Sequence, residues 1–197
     1  MKRAPLKKKI SDGVDSEGIV TITRYHIDSS TDIPRAREID SILGTASLMP
    51  QMTYRELERE LSLLCPIKTV TRHNLCVKAG RNVFAGILNG ETTYTGIINY
   101  GCLGTSSTAV ADTDTQLGAE VKRKAVATRT RVNDQVTLDF YYSKSDVSGT
   151  FEEFGMAIDG TSSANTGQLF NRLLTGGWTK SSAEALTVSC QVNINHA

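Results

Sequence analysis

The residues from Leu186 to Ile194 constrain this chain more than any others. Leu186, Val188, Cys190, Val192 and Ile194 alternate with Thr187, Ser189, Gln191 and Asn193. Successive side chains leave a strand on opposite sides, so this period of two predicts a half-buried antiparallel strand. Wound as a helix, the same residues would scatter their apolar groups around the whole surface. The second face carries hydroxyls and amides, which suits a surface that is wetted or docked against. The longer stretch from Gly149 to Ile194 has the same character: sheet patterning with almost no catalytic vocabulary.

A chain of 197 residues has room for one sandwich domain with appendages. Its 39% hydrophobic and 6% aromatic content supplies a core, but a lean one. The net charge of +1 gives no global field for nucleic-acid binding. The charge is distributed unevenly, however. Lys2, Arg3, Lys7, Lys8 and Lys9 crowd the N-terminus, and Lys122, Arg123, Lys124, Arg129 and Arg131 form a second group. Cys65, Cys76, Cys102 and Cys190 are widely spaced without a C-x-x-C pair, so no zinc site is expected. Cys190, on the apolar side of its strand, reads as a small buried hydrophobe. No apolar h-region follows the basic N-terminus, and no apolar run approaches the ~20 residues that span a bilayer. These features predict a soluble protein made in a reducing cytoplasm.

Along the chain, residues 1–50 read as an extended N-terminal arm that depends on a partner, with a short strand at Ile19–Ile27. Residues 51–66 hold a capped helix. Thr53 and Glu56 have capping-box spacing, Tyr54, Leu57, Leu61 and Leu64 line one face, and Cys65-Pro66 ends the run. Residues 67–197 form the β domain. Within it, Val83, Phe84, Ile87 and Leu88 have helical spacing, and Gly90 suits a left-handed cap. Strands are expected at Ile67–Arg72, Thr92–Leu103, Lys124–Val132 and Gln135–Tyr142, the last two joined at Asn133-Asp134, with three more after Gly149. One helical turn is expected at Leu117–Val121. The fold class that follows is mainly β: an antiparallel β-sandwich, with a jelly roll as one arrangement that fits, plus the arm and one or two short helices.

Several runs also resemble a family of tailed-bacteriophage virion structural proteins. They are Asn74-Leu75-Cys76-Val77-Lys78-Ala79-Gly80-Arg81-Asn82-Val83, Ile98-Asn99-Tyr100-Gly101-Cys102-Leu103-Gly104-Thr105 and Asp112-Thr113-Asp114-Thr115-Gln116-Leu117-Gly118-Ala119-Glu120-Val121. Phe154-Gly155-Met156 and Leu186-Thr187-Val188-Ser189 match two further elements, so that the resemblance covers about residues 74–194. The chain departs from the family pattern at Ser106-Ser107, Cys76 and Cys102. The resemblance implies a β-rich module of a fibre, baseplate, neck or head-decoration component, and it transfers no catalytic residue.

Glu152 and Glu153 with Asp159 resemble a glycosidase carboxylate set, but neighbours on a strand point to opposite faces and cannot flank one bond. Asp112 and Asp114 lack the glycine and distal glutamate of an EF-hand loop, and read as a turn. His26, His73 and His196 have no nucleophile motif beside them. Hence no catalytic, cofactor-binding or metal-binding residue is expected. Lys2, Arg3, Lys7, Lys8, Lys9, Arg129 and Arg131 are the expected partner-docking residues. Trp178, next to Gly176-Gly177, is either a core plug, which is favoured, or a platform for stacking on a sugar.

The expected function is therefore that of a non-enzymatic structural component of a virion, made in the host cytoplasm. Its partners would be other virion proteins and copies of itself, with no membrane and no nucleic acid. The tail, neck or an appendage is favoured over head decoration. The alternative is a carbohydrate-binding module that adsorbs to a host glycan.

Overall fold

A computed structural model describes residues 14–15, 18–28, 32–45 and 53–196. The strands are β1 (Val14–Asp15), β2 (Gly18–His26), β3 (Cys65–Cys76), β4 (Ile98–Gly104), β5 (Glu120–Ala125), β6 (Thr128–Val132), β7 (Gln135–Tyr142), β8 (Gly149–Ile158), β9 (Gln168–Lys180), β10 (Glu184–Asn193) and β11 (Asn195–His196). The helices are α1 (Ile33–Gly44), α2 (Tyr54–Leu61) and α3 (Lys78–Leu88). The molecule is mainly β, as the patterning predicts. Nine strands form one antiparallel sheet in the order β5-β4-β8-β9-β3-β2-β10-β7-β6, and β1 pairs separately with β11. Among the described residues no helix is long and apolar enough to cross a membrane.

The sheet curls because its middle joint is slight. β3 pairs with β2 from Cys65 to Asn74, but it meets β9 only at Leu75↔Arg172 and Cys76↔Asn171. On either side of that joint lie a four-strand half, β5-β4-β8-β9, and a five-strand half, β3-β2-β10-β7-β6. Their apolar faces meet in one core. Phe140 of β7 and Phe154 of β8 lie with ring centroids 5.8 Å apart, and a Cβ placed on Gly101 of β4 would come within 2.6 Å of the Phe140 ring. Leu186, Val188, Cys190 and Val192 enter this core from β10, the strand whose alternation is clearest in the sequence. Ile194 does not follow them: the strand ends at Asn193 and Ile194 is 56% exposed.

The N-terminal half departs from expectation. The short strand expected at Ile19–Ile27 within the arm is β2, Gly18–His26, an interior strand paired with both β3 and β10. Val20 and Ile22 are buried in the main core, so this segment completes the sheet. Residues 33–44, expected to be extended, form α1. Asp32 caps it by accepting the Arg35 N–H at 3.1 Å, and a proline lies in its first turn. Asp32 followed two residues later by Pro34 is a helix start rather than a break, since proline has no N–H to leave unsatisfied in that turn. Helix α1 buries Ala36, Ile39 and Leu43 with Tyr25, Leu57 and Leu64 in a second apolar cluster. A division into an arm at 1–50, a helix at 51–66 and a domain at 67–197 is thus not a division in space. The basic residues Lys2, Arg3, Lys7, Lys8 and Lys9 lie outside the described residues.

Other local expectations hold. Thr53 and Glu56 form a reciprocal capping box on α2, and Gly90, with φ +84°, follows α3 in the left-handed region. Asn133, at the β6–β7 turn, also has positive φ, 54°. Leu117–Val121 is not a helical turn: its end enters β5. The single strand expected at Lys124–Val132 is divided between β5 and β6.

Candidate interaction site

The outer face of the four-strand half is sealed by residues 105–119, and a buried charge pair holds that loop. Glu153 on β8 is 0% exposed. It accepts from Arg172 Nε at 2.7 Å and from the backbone N–H groups of Gly118 at 3.0 Å, Ala119 at 2.8 Å and Ser106 at 3.3 Å. Arg172 then donates to Asp114 at 2.8 Å and to the Thr108 carbonyl at 3.1 Å. Burial opposes the charge on Asp114, but the Ala111 N–H and the Arg172 guanidinium outweigh it and hold this carboxyl below the usual range. A second pair acts likewise on the 159–167 loop. Arg123 holds Glu120 bidentately at 2.6 and 2.7 Å and donates to the Thr161 and Thr166 carbonyls at 2.9 and 3.1 Å.

The segments that carry the family resemblance meet around these pairs. The Lys78 N–H donates to the Asp112 carbonyl at 2.9 Å, and Arg81 pairs with the Asp112 carboxylate at 2.8 Å. The Thr105 N–H donates to the Ala119 carbonyl at 2.9 Å. Gly80 and Gly155 sit where backbones touch: a Cβ on either would lie 2.6 Å from the carbonyl oxygen of Phe170 or Asn171. These glycines therefore serve close packing rather than catalysis.

The five-strand half treats its outer face differently. Thr21 and Thr23 of β2 stand opposite Thr71 and Thr69 of β3 on one side, and opposite Ser189 and Thr187 of β10 on the other. The result is two parallel rows of three hydroxyls. Thr21 and Thr71 lie 3.4 Å apart at Oγ1, and Thr23 and Thr69 3.1 Å apart. Helix α2 overhangs these rows and leaves a groove of about 530 Å³, walled by Tyr54, Glu58, Leu61, Tyr25 and Asp139. Burial raises the Asp139 carboxyl above its ordinary range, against hydrogen bonds from Thr128 and Ser189 that favour the anion. Tyr54 is pushed up to about 12, first by its hydrogen bond to Glu58 and then by burial. Such a groove offers many hydroxyls, a phenol and a carboxyl whose pKa burial raises. It can exchange hydrogen bonds with polar surfaces, but it lacks a nucleophile of lowered pKa.

The residues singled out from sequence fare unevenly. Arg129 and Arg131 are exposed, two positions apart on β6 at the edge of the sheet. Trp178 is 4% exposed and belongs to the main core, with Lys68 Nζ 5.1 Å and the Arg24 guanidinium 6.0 Å from its ring. It is therefore the favoured core plug, and its faces are not open to a sugar. Glu152 and Glu153 point apart, one half-buried and one fully buried, and Asp159 accepts from the Thr95 N–H at 2.6 Å to hold a loop. Cys190 is fully buried, and burial pushes the Cys102 thiol up to about 12, so neither is a ready nucleophile. Among the described residues no group of three His, Cys, Asp or Glu is placed to hold a metal. The hydroxyl rows were not anticipated as an array. Their signal lies in three T-x-T-type runs, Thr21-Ile22-Thr23, Thr69-Val70-Thr71 and Thr187-Val188-Ser189.

No known family model matches the chain, no curated protein matches it, and no solved structure matches its fold.

Proposed function

We propose that this chain is a non-enzymatic structural component of a tailed-phage virion, on the tail, neck or appendage side rather than the head. One observation carries the reading. Parts of the runs that carry the resemblance between Asn74 and Val121 are spent on holding loops: the Gly118 and Ala119 N–H groups donate to Glu153, the Thr105 N–H to the Ala119 carbonyl and the Lys78 N–H to the Asp112 carbonyl. That is the economy of a building block, in which polar groups hold loops rather than act on a substrate. In this reading the two halves of the curled sheet act as a sandwich, with a jelly roll as one form. The basic N-terminus together with Arg129 and Arg131 anchors the chain to neighbouring virion proteins and to copies of itself.

Mass spectrometry of gradient-purified particles from infected cells provides the test. Peptides of this chain should remain with the particles through a salt wash. A chain abundant in the infected cell yet absent from particles would end the proposal.

A second reading, adsorption to a host glycan, has one foothold: the hydroxyl-lined groove beneath α2, with Tyr54 and Tyr25 in its wall. Glycan-array binding that is lost in Tyr54→Ala at unchanged melting temperature would put adsorption first.

A further inference from the structure

We infer that the free edge of β3 is a docking strand for an acidic, extended segment of a partner protein. From Cys65 to Asn74 this strand pairs on one side with β2, while on its other side it meets β9 only beyond, at Leu75 and Cys76. Among the described residues no strand covers that side along 65–74. At roughly 3.3 Å per residue this leaves about 33 Å of edge, along which alternate residues turn their N–H and C=O groups away from β2, Pro66 having no N–H to offer. Interior strands such as β10 are mostly buried, whereas only Val70 and Asn74 in this stretch are even half-buried. Ile67, Thr69, Val70 and Thr71 keep the edge extended, because β-branched side chains favour that backbone.

Charge selects the occupant. The register places Lys68 opposite Arg24 and Arg72 opposite Val20, so Arg24, Lys68 and Arg72 all stand on the side of the β2–β3 pair that Val20 and Ile22 turn to the core, at its open margin. Neither strand contains a single Asp or Glu. Arg24 reaches Glu184 at 3.6 Å, but among the described residues Lys68 and Arg72 have no carboxylate partner. A second copy is a poor occupant: its edge strands β5 and β6 would bring Lys122, Arg123 and Lys124, or Arg129 and Arg131, against the same cations. The chain's first thirteen residues are no better, with five basic residues and one acidic. A strand bearing alternate carboxylates satisfies the backbone and brings carboxylates to Arg72 and to Lys68, which otherwise lies over the Trp178 ring, the mode known as β-augmentation.

The probe is a synthetic ten-residue peptide alternating Val or Thr with Glu or Asp, added to the purified full chain. A second peptide of the same charge carries two central prolines, which cannot extend a sheet. Hydrogen exchange should show new protection confined to residues 65–74 with the first peptide and none with the second. Affinity should weaken with salt and fall roughly tenfold or more in the exposed variant Arg72→Glu, which leaves Lys68 over the Trp178 ring, at unchanged melting temperature. A basic peptide should then bind that variant better than the acidic one.

Equal binding of the proline peptide, protection elsewhere, or no binding would overturn the inference. So would a variant that self-associates yet binds the peptide as before, since the cations would then serve only to keep copies apart. The purified chain suffices for this experiment, so its failure leaves the particle test of virion membership untouched.

Discussion

The two halves of the curled sheet share one core but finish their outer faces in opposite ways. On the four-strand half the 105–119 loop covers the face, pinned by Glu153, Arg172 and Asp114, and polar groups point inward to be consumed. On the five-strand half the helices cover only one end, and rows of threonine hydroxyls face the groove and the surface. A buried charge forces its surroundings into one arrangement, because an unsatisfied ion is so costly. A hydroxyl makes weaker demands and can exchange water for a partner. The first half is thus built to hold its shape and the second to meet something.

Four predictions test that contrast, in falling order of effect. Glu153→Ala leaves Arg172 buried beside three backbone N–H groups that have lost their acceptor. It should cost about 3–5 kcal/mol by urea denaturation and strip exchange protection from residues 105–119. A loss under about 1 kcal/mol would mean that the pair pins nothing. Next, Gly155→Ala forces a methyl group to within 2.6 Å of the Asn171 carbonyl oxygen. A cost of about 1–3 kcal/mol is expected from the strand shift this requires.

Asp139→Asn gives a smaller, pH-dependent effect. The folded carboxyl has a raised pKa, so the native state keeps its proton where the unfolded chain loses it, and stability falls as pH rises through that window. Asparagine cannot ionise. The variant's melting temperature should therefore gain on the wild type as pH climbs from below the ordinary carboxylate range to neutrality, and a constant difference would contradict the assignment. Least of all, Thr69→Val with Thr71→Val removes two exposed hydroxyls while keeping β-branched shape. Melting should change by no more than about 0.5 kcal/mol. A large loss would show that the hydroxyl rows are structural and the contrast between the halves misplaced.

Much of the local structure was legible from neighbouring residues. The capping box needs only Thr53 and Glu56, three positions apart, and both of its hydrogen bonds form. The helical spacing of Val83 and Ile87 with Gly90 behind it favours a short helix over a hairpin turn at Asn89-Gly90, and α3 forms there and ends before Gly90. By contrast α1 was missed through its proline, because the same residue that breaks a helix interior is welcome in a first turn. The candidate site was less legible still. Glu153 looked like half of a carboxylate pair with Glu152, and its true partner, Arg172, lies nineteen residues on.

By itself, then, the sequence determined through its period of two that Gln135–Tyr142 and Leu186–Ile194 hold strands, where α2 starts and α3 stops, and that Cys190 would be buried. Only the tertiary structure decided that Gly18–His26 runs through the middle of the sheet, that Trp178 closes the core, and that β3 is left with an open edge. The reason is the range of the forces involved. Backbone conformation and alternation are set within a few residues. Burial and charge pairing depend on what the chain brings from far away, and Arg172 meets Asp114 across fifty-eight positions.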